Sequence, residues 1–236
     1  MGSSDLESIV DSLENPNNLV TIRSENDRLH NKQVASHRLR AVVYSRLYVF
    51  RLFLECAKTQ PGGIIEEHKR IWLWMQVIPK AIFGWDVFMD LSLTAGDITT
   101  NLQPAILRML EGIGVLMGAS TVIHAALDET QQLTDKYEEY FRSEQDLQQK
   151  RPILSVFLPV LTSSLPLIIS GTGLSMQKLD EIYKSAVAKG KKPSVFTEVG
   201  SFETQEDQLM YLNRYLPKDF LSPELAGRIG YWLHGR

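Results

Sequence analysis

Residues 121–133 read TVIHAALDETQQL, and the reading of this stretch decides the fold. An apolar, strand-compatible run ends in two adjacent carboxylates, Asp128 and Glu129. One acid after a strand can cap the helix that follows. Two in succession point instead to a site that handles a cation and a water. An ionised carboxylate beside apolar packing costs several kcal/mol unless something pairs with it, and Mg²⁺ is a natural partner. Nucleotide hydrolysis needs an Asp that orients Mg²⁺, directly or through its water, and a neighbouring Glu that polarises the attacking water. The same letters also fit a strand that hands over to a capped helix. These residues alone leave both accounts open.

Downstream, LPLIISGTGLS at 165–175 reads as a second buried strand ending in Ser170, Gly171, Thr172 and Gly173. In a parallel sheet the carboxyl ends of the strands open on a common crevice where ligands collect. A small polar residue there can sense a terminal phosphate or place a water; an ordinary Gly-rich turn into a helix reads equally well. PSVFTEVG at 193–200 is compatible with a third strand. His124, inside the first strand, reads as a hydrogen-bonded core residue.

Around these strands the pattern is helical. Residues 24–58 carry apolar residues at helical spacing, with an expected face of Val42, Leu47, Val49, Phe50, Phe53 and Leu54, and a helix either continuous or broken near Asn31. Arg38, Arg40, Arg46 and Arg51 along it read as a solvated face, and TQPGG at 59–63 stops it. Residues 66–93 hold Trp72, Trp74, Phe83, Trp85 and Phe88, a density that more often builds a core than a stacking platform. Helices are also expected over 101–119, over 129–151 as a charged helix with a stripe of Leu133, Tyr137, Tyr140 and Phe141, and over 153–164 and 174–189. Two more close the chain, at 204–216 and 222–236, the last with Ser222 as N-cap and Pro223 in its first turn. Strands alternating with helices give an α/β class, a three-layer parallel sheet. Residues 1–190 form the core and 191–236 a helical C-terminal part.

Composition narrows the classes. The 236 residues are 44% hydrophobic and 22% charged, enough for a real core, and the net charge of −3 argues against a general nucleic-acid face. The single cysteine, Cys56, excludes a disulfide framework and reads as a small core filler. The acidic, polar start is no cleavable signal peptide. The uncharged stretch 152–177 is cut by Pro152, Pro159 and Pro166, which argues against a membrane span. An intracellular setting, cytoplasmic or nuclear, follows as the expectation. The scattered histidines form no H-E-x-x-H pair and no G-x-S-x-G string occurs, so zinc and serine hydrolase readings fall away.

Taken in order, ALDETQ (126–131), LPLIISGTGLS (165–175), VGSFETQEDQLMYLNRYLP (199–217) and ELAGRIGYWLHGR (224–236) resemble the P-loop NTPase domain of Crinkler-type proteins of oomycetes and fungi. RIWLWMQVIPKAIFGWDVF (70–88) resembles that family's Trp- and Gln-bearing helix upstream of Walker B. The resemblance implies an AAA- or STAND-like NTPase that takes ATP and Mg²⁺. Asp128 and Glu129 would be its Walker B acids, with Asp128 on Mg²⁺ via water. Ser170 or Thr172 would be the sensor-like position, with Gly171 and Gly173 beside it. Arg228 and Arg236 would stand where a phosphate-facing arginine stabilises developing charge. Many family members carry a nuclease-like domain, and an effector would act in a host cell.

The phosphate loop, G-x-x-x-x-G-K-[ST], occurs nowhere in the chain. GIGVLMGAS (112–120) lacks the Lys and precedes a strand instead of following one, and its glycines read as sites of close helix packing; AVAKGKKPS (186–194) misses the spacing. The family's fold is thus expected to be incomplete at the N-terminus. Two functions remain: an NTPase completed by an upstream phosphate loop, or a catalytically silent NTPase-like module that binds a protein partner or itself.

Overall fold

The computed structural model describes residues 3–15, 18–98, 101–118, 121–144, 146–171, 175–186, 204–216 and 222–233. The chain divides into two compact units, Met1–Ile65 with Trp72–Lys189, and Glu66–Ile71 with Gly190–Arg236.

The first unit is organised by one helix, α2 (Glu25–Lys58), of 34 residues and so roughly 50 Å long. Ser24 caps it, its hydroxyl oxygen accepting from the Asp27 amide at 3.3 Å, while the Asp27 carboxylate accepts from the Arg23 amide at 3.0 Å. The helix runs unbroken through Asn31, because that side chain directs its hydrogen bonds outward, to the backbone of Val20 and Tyr140. Helices α1 (Ser3–Glu14), α5 (Val87–Gly96), α6 (Gln103–Met117) and α7 (Leu154–Thr162) all pack on α2. Burial therefore wraps around it. Ala35, Leu39 and Val42 join one apolar cluster, Ala41, Leu47 and Leu54 a second, and Val49 a third with Met75 and Phe88. The expected apolar face is present, but α2 is a central helix and not a surface one.

This corrects the arginine row. Arg46 is almost buried and pairs at 2.8 Å with Asp5, whose side chain is 6% exposed; its guanidinium also lies 4.4 Å from the centre of the Phe88 ring. Arg40 donates to Gln103 Oε1 at 3.1 Å, and burial lowers its pKa. Only Arg51, paired with Glu55, keeps to the surface. Cys56 is likewise exposed and fills no core.

Helices α3 (Glu66–Val77) and α4 (Pro79–Phe83) follow. Trp72 stacks on Phe50 with ring centres 4.5 Å apart and meets Phe88 edge-on at 6.1 Å, as a core aromatic should. Trp85 stands 58% exposed, so the aromatic density is core only in part. In α6 the glycines are not close-packing sites: at Gly114 a side chain would meet open space, and at Gly112 only the Arg51 guanidinium.

Strands β1 (Ala125–Leu127) and β2 (Leu167–Ile169) pair in parallel, Ala125 opposite Leu167 and Leu127 opposite Ile169. They form the one sheet among the described residues. The unit is thus helix-rich with a small parallel pair; the third expected strand, 193–200, lies outside the described residues. The ladder begins late for a local reason. Ala125 donates to the Pro166 carbonyl at 2.9 Å, but Pro166 has no N–H to return toward Ile123. His124 accordingly precedes the strand and is exposed, which overturns its reading as a core residue.

The charged helix expected over 129–151 does not form. Glu129 and Tyr137 adopt left-handed backbone (φ 54° and 62°), a single 3-10 turn spans Thr130–Leu133, and an isolated antiparallel bridge joins Arg142 to Lys150. The stripe is buried by another route: Leu133 and Phe141 enter the first cluster while the backbone folds back, the Arg151 amide donating to the Phe141 carbonyl at 3.0 Å. Helix α8 (Met176–Ala186) adds Leu179 and Ile182 to that cluster. No described helix is long and apolar enough to cross a membrane.

In the second unit, α9 (Gln205–Tyr215) packs against α10 (Pro223–Leu233). Thr204 caps the first through the Asp207 amide at 3.1 Å, and Ser222 caps the second through the Leu225 amide at 3.2 Å.

Candidate functional site

The carboxyl ends of β1 and β2 lie side by side, and the backbone ladder continues past both strands. The Ser170 amide donates to the Leu127 carbonyl at 2.9 Å, and the Thr130 amide to the Ser170 carbonyl at 3.1 Å. That register puts Asp128 opposite Ser170. The Ser170 hydroxyl donates to Asp128 Oδ1 at 2.7 Å, both side chains being exposed. Among the described residues Asp128 Oδ2 has no hydrogen-bond donor, so one carboxylate oxygen is held by Ser170 while the side chain stays exposed.

Glu129 is placed differently. Its left-handed backbone turns the chain sharply out of β1, which a non-glycine residue adopts at some cost. Its half-buried carboxylate accepts from the Gln131 side-chain amide. Gln131 in turn lies against Gly171, filling the space a side chain there would need, and its Oε1 is buried without a partner. Gln131 thus ties Glu129 to the turn after β2. Underneath, Thr130 is fully buried and donates to the Leu127 carbonyl at 3.0 Å, locking the start of the turn.

The structure therefore brings Asp128, Ser170 and Gly171 together, with Glu129 joined to them through Gln131. Thr172, Gly173 and Arg236 lie outside the described residues. Arg228 is exposed on α10, in the second unit. Gln131 was missed in the sequence, where nothing marks one glutamine of a QQ pair as a clamp. Lys178 was missed too; it sits at the start of α8 and pairs with Asp135, just beyond the 3-10 turn.

The donor set limits the metal it fits. Among the described residues no three His, Cys, Asp or Glu side chains converge. Mg²⁺ usually keeps several waters and takes one or two carboxylates together with substrate phosphate oxygens. One exposed carboxylate beside a hydroxyl fits a largely hydrated cation and does not fit a caged resident ion. No family model, curated protein or solved structure matches the chain.

Proposed function

We propose that the chain is an NTPase-like module of the Crinkler type, of AAA- or STAND-like three-layer fold, in which Asp128 orients a hydrated Mg²⁺ on ATP and Glu129 polarises the attacking water. The observation that carries this reading is the 2.7 Å hydrogen bond from the Ser170 hydroxyl to Asp128 across the ends of two parallel strands. It couples a sensor-like hydroxyl to the acid that would feel the metal. Ser170 would hold Asp128 aimed, and Gln131 would orient Glu129. Thr172, Gly173, Arg228 and Arg236 take their roles here from the resemblance alone. Hydrolysis also needs a nest of backbone N–H groups and a lysine for the phosphates. These 236 residues contain no such loop, so that grip would come from outside them.

A second reading, a silent module that binds a protein partner or a second copy, is favoured by the missing loop and by aromatic exposure in the second unit. Tyr231 is 81% and Trp232 63% exposed on α10, with Met210 and Tyr211 open on α9.

ATP binding measured with and without Mg²⁺, on the wild type and on Asp128→Asn, separates the two. The enzymatic reading expects Mg²⁺ to tighten ATP binding by about tenfold in the wild type only. Equal affinities throughout would refer the chain to the interaction reading.

A further inference from the structure

Beside β1, lined by residues 121–126, the first unit contains a pocket of about 260 Å³ that does not include Asp128 or Ser170 among its lining residues. It is a half-open pocket, with Phe50, Trp72 and Leu47 on one side and the exposed residues Val122, His124 and Ala126 at its mouth. Its volume approaches that of natural small-molecule clefts. Its residues all belong to one compact unit.

The walls specify a shape. Phe50 and Trp72 line it as a stacked pair, with Leu47 alongside. Flat aromatic and aliphatic surfaces of this kind favour a planar ring.

One wall also specifies polarity. Residues 121–126 line the pocket, and within them Val122, Ile123 and His124 make no hydrogen bond to another described residue. This is chain approaching a strand whose partner stops at a proline. Val122 and His124 are exposed and Ile123 half-buried, so their N–H and C=O groups are open to solvent, and a ligand that displaces water there has to replace its hydrogen bonds with a donor and an acceptor side by side.

Charge settles the remaining choice. Arg46 lines the cavity, but its Nε and Nη2 are both held by Asp5, at 2.9 and 2.8 Å. Its positive charge is already met, so no anion is called for. Nη1 reaches Gln76 Oε1 only at 3.5 Å, a distance that leaves its donor capacity largely unused.

We propose that this cavity is a binding site for a flat, neutral, one- or two-ring heteroaromatic molecule with neighbouring donor and acceptor groups. The site is separate from the Asp128 and Ser170 pair and stands or falls independently of nucleotide chemistry there.

Quinolin-2-one, a neutral two-ring cis-amide, is a suitable probe, with benzoate as the charged comparison. Titrated into the full chain by calorimetry, with the Trp72 indole signal followed by NMR, it should bind saturably with a dissociation constant on the order of 1 mM or tighter. Benzoate should bind about tenfold more weakly. Ala126→Phe, which fills part of the cavity from an exposed position, should abolish binding. If its near-UV circular dichroism departs from the wild type, Gln76→Ala replaces it as the test and should weaken binding severalfold. No shift of the Trp72 signal at saturating probe, or unchanged affinity in the folded variants, would overturn the proposal.

Discussion

Gly171 leaves the space that the Gln131 side chain occupies, and through that contact the turn after β2 holds the glutamine that holds Glu129. A methyl group at Gly171 would collide with Gln131 and stand 3.2 Å from the Thr130 amide nitrogen. Gly171→Ala should therefore destabilise the first unit by about 1–3 kcal/mol, the usual cost of overpacking. Chemical denaturation measures it. A Gln131→Ala background should relieve most of the cost, because the colliding group is gone.

Asn31 is a second clamp. Its buried amide accepts from the Val20 amide at 2.9 Å and donates to the Val20 and Tyr140 carbonyls at 2.8 and 2.9 Å. It thereby fixes both the segment after α1 and the turn that replaces the expected charged helix. Asn31→Ala leaves these backbone groups without protein partners and should cost about 3 kcal/mol. Hydrogen exchange should quicken at Val20 and around Tyr140 before it changes in α6.

The Asp5 and Arg46 pair joins α1 to α2 at 2.8 Å with both side chains nearly out of water. Removing one partner strands the other charge. Asp5→Ala should lose about 3–5 kcal/mol, measured by denaturant unfolding, and Asp5→Leu with Arg46→Met should recover much of it. A double variant as unstable as Asp5→Ala would show that the packing, not the stranded charge, sets the cost.

Tyr137 offers a pH signature. Its hydroxyl donates to the Val10 carbonyl at 3.1 Å; burial, then the nearby Glu14 carboxylate, push its pKa up to about 12. A phenol whose pKa is raised on folding holds its proton more tightly in the native state. The stability it contributes is complete below the unfolded value near 10 and drains away as pH rises from about 10 to 12. Burial also raises the Tyr211 phenol, so ultraviolet titration of the folded chain should show late-titrating tyrosines, and Tyr137→Phe should remove the one near 12.

The sequence was most legible where periodicity and burial agree. The run from Glu25 to Lys58, the cap at Ser222, and the parallel pairing of the two apolar runs could all be read from residue pattern. It was least legible where one side chain overrides a pattern. The helical stripe of Leu133, Tyr137, Tyr140 and Phe141 is satisfied by a folded-back turn, because Asn31, a hundred residues upstream, binds the Tyr140 carbonyl. The arginine row looked solvated because its acid partner, Asp5, is forty-one residues away on α1. His124 looked buried because the register that ends at Pro166 is not written near it. At the site, Asp128 and Ser170 were findable from strand ends, whereas Gln131 acts only through its contact with Gly171.

The most direct test of the account replaces Mg²⁺ by paramagnetic Mn²⁺. With millimolar ATP and Mn²⁺, the backbone amide signals of residues 127–130 and of Ser170 and Gly171 should broaden first in the wild-type chain and stay sharp in Asp128→Asn. Equal broadening in the two proteins, or none at these amides, would contradict a nucleotide-borne metal at Asp128.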